Sequence, residues 1–218
     1  MANDRSPPRG AGGRVRAERG AALLIALMAT VLLSALGSAL ILVTMTETAI
    51  TVNYRNAEEA RYAAEAGLER VVQDLRAPSD WDHVLAGSMR SGFTEGALSP
   101  VLPDGTILGL ATVTADLQQE TNRTGWGPNT PVWRLYAYGP ISALVPGGAI
   151  NSVNYVAVWV ADDPAETDGD PLVDRNDLLT LHAVGYGPLH TRKVVEATLA
   201  RASGAQGGVR WLSWRELR

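Results

Sequence analysis

The sequence predicts an α+β protein in which one long N-terminal helix, lipid-soluble in its first half, packs on an antiparallel β-sheet. Three observations carry this. Ala21 to Thr46 is an apolar run with no charged residue, and beyond Glu47 the pattern turns amphipathic at helical spacing and meets no proline before Pro78. Five later runs are rich in β-branched and aromatic residues. Helix first and strands afterwards, without alternation, imply an antiparallel sheet with the helix segregated to one face.

The 218 residues are 46% hydrophobic and 19% charged, with a net charge of −4, which suits one sizeable domain plus an appendage and is too apolar for a disordered chain. The absence of cysteine excludes disulfide frameworks, thiolate zinc sites and cysteine nucleophiles. Charge is unevenly placed. Arg5, Arg9, Arg14, Arg16 and Arg19 stand against Asp4 and Glu18 in a Gly- and Pro-rich start, a flexible basic leader. Removing those five basic and two acidic residues from the totals of 19 and 23 leaves 14 against 21, a net charge of −7 after Gly20. Mild acidity excludes an obviously basic nucleic-acid binder.

As a helix the apolar run of about 26 residues extends roughly 39 Å, more than the hydrocarbon thickness of a bilayer. The arginines before it place the N-terminus in the cytoplasm and the acidic remainder outside. A cleavable secretory signal has an apolar core of only about 7 to 15 residues. A plain signal anchor accounts for the run and the arginines, but not for the periodic segment beyond Glu47. There Ala57, Ala60, Ala64, Leu68, Val71 and Leu75 step by three and four, with Arg55, Glu58, Glu59, Arg61, Glu65, Glu69 and Gln73 largely between them. The helix therefore continues to about Ala77, where Pro78 ends it. Ser34, Ala35, Gly37, Ser38 and Ala39 form a small-residue patch that lets another helix approach closely.

The junction RAERG followed by AALLIALMATVLLSALGSALILV, with YAAEAGLERVV in the amphipathic continuation, resembles the N-terminal region of type IV pilin-like proteins. The likeness is to PilX-type minor pilins and the similar K-subunit pseudopilins of type II secretion. It implies a pilin-like fold and a leader removed by an aspartyl prepilin peptidase between Gly20 and Ala21. It also implies a bacterial inner-membrane protein with a periplasmic ectodomain, partnered by other major and minor pilins. The organisation so implied is a cleaved leader over 1–20, a transmembrane helix half over 21–46, an amphipathic half over 47–77, a β-rich ectodomain over 78–202 and a C-terminal tail over 203–218. Two positions depart from the family pattern: the first mature residue is Ala21 where phenylalanine is usual, and the fifth is Ile25 where glutamate is usual. A carboxylate within lipid is retained only with a partner, so Ile25 implies a subunit that forgoes that charge pairing inside a filament.

In the ectodomain, Pro78 to Pro103 reads as a connector with at most one short helix near Trp81 to Leu85. Strands are expected over Thr106 to Thr114, Val132 to Tyr138, Val153 to Ala161, Leu178 to Tyr186 and Lys193 to Arg201. Trp133, Leu135 and Ala137 alternate with Arg134, Tyr136 and Tyr138 in the second of these. His83, His182 and His190 are scattered, and no nucleophile elbow, H-E-x-x-H or phosphate-cradling loop is present. A non-catalytic protein without a cofactor is expected, with His182 a hydrogen-bonded sheet histidine.

The loop ADDPAETDGDPLVDRNDLL crowds Asp162, Asp163, Glu166, Asp168, Asp170, Asp174, Asn176 and Asp177 between two strands. Hard oxygens in a glycine-bearing loop suit calcium, with Asp168, Asp170, Asp174, Asn176 and Asp177 as candidate ligands, although the spacing is not that of an EF-hand. A solvated loop of Asx-turns is the alternative. In the tail, Trp211 and Trp214 either pack back on the sheet or anchor a neighbouring subunit, and with Ile25 and Gly37 they are the candidate interface residues. Two functional classes remain: a minor pilin that initiates or caps a filament, or a membrane-anchored ectodomain that binds a ligand by itself.

Overall fold

The computed structural model describes residues 12–145, 147–148, 150–202 and 208–217. The chain divides into two compact units, Met1–Val52 and Asn53–Arg218. Helix α1 (Gly12–Leu75) contributes to both. The helix starts earlier than Ala21, so residues 12–20 of the expected flexible leader are helical, while 1–11 lie outside the described residues.

In the first unit every residue from Gly20 to Val52 is exposed, including Leu23, Ile25, Leu32, Leu36 and Ile41. The helix from Gly20 is long and apolar enough to cross a membrane. Its hydroxyls bond within the helix: Ser34 Oγ donates to Thr30 O at 2.8 Å, Ser38 Oγ to Ser34 O at 2.9 Å and Thr44 Oγ1 to Leu40 O at 3.0 Å. A hydroxyl satisfied by its own helix adds little to the cost of entering hydrocarbon, where unpaired polar groups are expensive.

The second unit is built on a five-stranded antiparallel sheet, β1 (Arg134–Pro140), β2 (Tyr155–Asp162), β3 (Leu178–Tyr186), β4 (Arg192–Ala202) and β5 (Gly208–Leu217), paired in chain order. One face receives the end of α1. Ala63, Ala64, Leu68, Val71, Val72 and Leu75 bury against Val156, Val158, Val160, Leu179, Leu181, Ala183, Val195, Ala197 and Leu199. Two glycines allow this approach. A Cβ on Gly185 would lie 1.9 Å from the Ala60 carbonyl oxygen, and one on Gly67 would lie 2.6 Å from Val156 Cγ2. Trp81, wholly buried, closes the helix end by donating its indole N–H to Leu75 O at 3.0 Å.

The opposite face carries Trp133, Tyr138, Tyr155, Ala157, Trp159, Val184 and Tyr186, packed with Leu108 and Leu110. Because β2 and β3 are covered on both sides, they read as continuous apolar runs. The four-residue α2 (Asp82–Leu85) occupies the connector as expected, and α3 (Leu110–Thr124) covers this second face. The expected strand over Thr106 to Thr114 is therefore corrected. Leu110, Val113, Thr114, Leu117 and Thr121 follow a helical period, which the β-branched residues of a short window conceal. Trp133 and Trp159 fix this helix by donating indole N–H bonds to Thr121 and Thr114 at 2.7 Å each.

Two irregularities displace the simple alternation. The register of β1 shifts between Leu135 and Ala137, so Tyr136 and Ala137 join the α1 face while Leu135 and Tyr138 face α3. The second shift lies opposite Thr198 and Leu199, leaving Leu212 as the extra residue of β5. The segment expected as a tail thus supplies the fifth strand. Residues 91–95 cover the β1 edge, where Glu95 N donates to Tyr138 O at 2.8 Å and Tyr138 N to Phe93 O at 3.0 Å.

Candidate functional site

At the predicted cleavage junction, Gly20 lies in α1 with open space where a Cβ would go and without the positive φ that demands glycine. Among the described residues, nothing packed around Gly20 calls for glycine there. Gly37 stands in the same situation, although glycine within a helix costs about 1 kcal/mol relative to alanine. Ile25 is 68% exposed and is not packed against any element among the described residues.

Trp211 and Trp214 neither enter the core nor stand clear of the surface, being 38% and 47% exposed. They line one cleft with Glu65, Leu68 and Glu69. The bulge at Leu212 explains why residues three apart share a face of a strand.

In the acidic loop the five candidate calcium ligands do not converge. Asp168 Oδ1 accepts from Asp170 N at 3.1 Å, Asp170 Oδ1 from Leu172 N at 3.2 Å and Asn176 Oδ1 from Leu178 N at 2.9 Å, a chain of exposed Asx-turns. Asp177, with φ 61°, pairs with Arg201 Nε at 3.1 Å. Of the five, only Asp174 enters a carboxylate cluster, where one oxygen each from Asp162, Glu166 and Asp174 lie within 4.8 Å of one another. Asp162 is fully buried and Glu166 is 6% exposed. Strand alternation places Asp162 there, since it ends the series Val156, Val158 and Val160 on the inner face of β2. Burial, the largest influence, with Glu166 and Asp163 nearby, pushes the Asp162 carboxyl up to about 7 despite its hydrogen bond from Asn129. Asp174 is pushed up to about 6, again chiefly by burial.

His182 is a buried sheet histidine as expected, 3.0 Å from Glu196 Oε1 through Nδ1, with the Trp133 and Trp159 rings edge-on at 5.6 and 5.9 Å. It lines a cleft of about 540 Å³ with Thr121, Trp126 and Glu196. The nearby hydroxyls are committed to structure: Thr121 donates to Leu117 O at 2.9 Å while accepting from Trp133. Burial raises the Glu196 carboxyl, but hydrogen bonds and charge from His182 and Arg215 outweigh it and hold Glu196 below the ordinary range. A lowered folded pKa stabilises above the ordinary glutamate pKa and is lost as pH falls through the folded value. Glu196→Gln is therefore expected to flatten the acid side of the stability profile below about pH 4.5, read as urea midpoints against pH. An unchanged acid limb would contradict this placement of the charge.

Residues 19–69 match the family model described as PilX N-terminal. No curated protein and no solved structure matches the chain. The match begins at Arg19, crosses the candidate cleavage junction and the exposed apolar helix, and ends at Glu69 in the AEAGLE stretch. Over residues 19–69, and there alone, the chain is similar to the N-terminal segment of PilX-type pilins.

Proposed function

We propose that the protein is a minor pilin that helps initiate or cap a type IV pilus-like filament, held in the inner membrane until it assembles. The observation that carries this proposal is the coincidence of the PilX N-terminal match with an apolar helix segment, residues 20–52, whose side chains are exposed throughout. Such a surface is stable only in lipid or against other helices, and a bundle of pilin helices supplies both in turn. The prepilin peptidase would remove the leader after Gly20, and major and minor pilins would be the partners of the helix. A role as the K-type pseudopilin of a secretion system rests on the same segment.

Ile25 bears on the position within the filament. A buried glutamate that meets the N-terminal amine of a neighbour offsets the cost of placing either charge in lipid. Ile25 offers no such pairing, so this subunit is least handicapped at the tip or in the initiating complex. Deleting the gene is expected to lower filament number while leaving the bulk composition of the remaining filaments unchanged, as counted by electron microscopy and read by mass spectrometry. Ile25→Glu is expected not to raise that number. Labelled subunits distributed evenly along the shafts would refute the tip position.

A further inference from the structure

We propose that Asp162, Glu166 and Asp174, with the Asn129 side chain beside them, form a site for a hard divalent cation of the calcium class. The three residues present oxygens within 4.8 Å of one another, close enough for one ion to contact all three. Among the described residues, no arginine, lysine or histidine forms an ion pair with any of them. The basic side chains that approach the loop go elsewhere: Arg175 to Asp168 at 3.6 Å and Arg201 to Asp177 at 3.1 Å. Buried carboxylates without a cationic partner are stable when a metal takes that place.

A second observation is independent of the carboxylate count. Glu166 uses Oε1 to accept from Arg175 N at 2.7 Å, and its Oε2 is buried with no partner. Asn129 is wholly buried and donates Nδ2 to Asp162 Oδ2 at 2.8 Å and to Asp163 O at 3.1 Å, and its Oδ1 likewise has no partner. Buried polar atoms are almost always satisfied, so the unmet oxygen of Glu166, a member of the carboxylate trio, marks a missing positive group, and a second unmet oxygen belongs to the Asn129 side chain that bonds Asp162. The donors are all oxygens, three of them carboxylates, a set that favours calcium over softer metals. The loop is already braced: Asp174 N donates to Asp82 Oδ1 at 3.0 Å, and Asn176 Nδ2 to Asp163 Oδ2 at 2.7 Å. An ion there would tie the end of β2 to the start of β3 and to α2. The proposal does not rest on the pilin assignment, and its test is read without filaments.

The experiment uses the full chain in detergent, stripped with chelator and titrated with calcium chloride by calorimetry and by thermal melting. One calcium ion per chain is expected, and at a hundredfold excess over Kd the melting temperature should rise by about 5–10 °C. Glu166→Gln, nearly isosteric, should bind at least tenfold more weakly and lose most of that rise. The double variant Asp168→Asn, Asp170→Asn should keep both. Should Glu166→Gln fail to fold, Asp174→Asn is read in the same way. No bound calcium in the wild-type chain at millimolar concentration overturns the proposal, as does undiminished binding in every folded variant of the trio.

Discussion

Gly185→Ala is expected to remove the cooperative unfolding transition of the second unit or lower its stability by about 3 kcal/mol or more. The added methyl would sit 1.9 Å from Ala60 O, 2.8 Å from Ala60 C and 3.1 Å from Ala64 N, all of them backbone atoms of α1. Backbone cannot rotate aside as a side chain can. The helix must lift from β3, opening the core that Ala64, Leu68 and Leu181 fill, and overpacking of this kind exceeds the usual 1–3 kcal/mol. Gly67→Ala provides the contrast. Its methyl meets Val156 Cγ2 at 2.6 Å and Val158 Cγ2 at 3.1 Å, side chains and not backbone, and the helix gains about 1 kcal/mol of propensity, so the loss should be smaller than that of Gly185→Ala. Urea unfolding of the full chain in detergent, followed by circular dichroism, separates the two. A Gly185→Ala chain as stable as wild type would contradict the packing of α1 on the sheet.

Gly20→Leu is expected to leave the leader attached to every molecule. In the chain itself the substitution has room, since among the described residues nothing outside the local helix backbone lies within 4 Å of the position a Cβ would take, and leucine suits a helix at least as well as glycine. A processing defect would therefore report recognition by the peptidase and not damage to the fold. The unprocessed chain keeps its arginines beside the apolar segment and should remain in the membrane fraction, absent from sheared filaments. Immunoblots of the two fractions measure this, and normal processing of Gly20→Leu would remove Gly20 from the junction.

How far the sequence reveals the fold depends on the scale of each signal. α1 is legible because its signals are long and uniform: about 26 residues without charge, then about five helical turns with one apolar face. The strands β1 to β4 are legible to within a few residues because Val, Tyr, Trp and Leu crowd them and turn residues separate them. α3 is hidden because a window ending at Thr114 stops before Leu117 and Thr121 can reveal the helical period. Glycines around residues 203–208 make the last strand look like a hinge and tail, whereas Gly208–Leu217 pairs with β4 along its length. Bulges leave no reliable mark in composition, so neither the inversion at Tyr136 nor the shared face of Trp211 and Trp214 is foreseeable.

The acidic loop shows the same limit at the scale of a site. Composition locates the loop, but the residues with turn-forming spacing, Asp168, Asp170 and Asn176, satisfy backbone N–H groups at its surface. The carboxylates that converge are Asp162, carried inward by strand alternation, together with Glu166 and Asp174, brought back by the fold of the loop. Alternation along β2 from Val156 is the one signal that points to Asp162. Nothing local marks Asn129, which lies 33 residues from its partner.

Processing at Gly20 and entry into a filament as a minor subunit are tested most directly by mass spectrometry of sheared, purified filaments. The N-terminal peptide of this chain is sequenced, and its abundance is compared with that of the major subunit. The expected result is a peptide beginning at Ala21, present at a small fraction of the major subunit. A chain found only in membranes, with its leader intact up to Gly20, would contradict the minor-pilin assignment and leave a membrane-anchored ectodomain in its place.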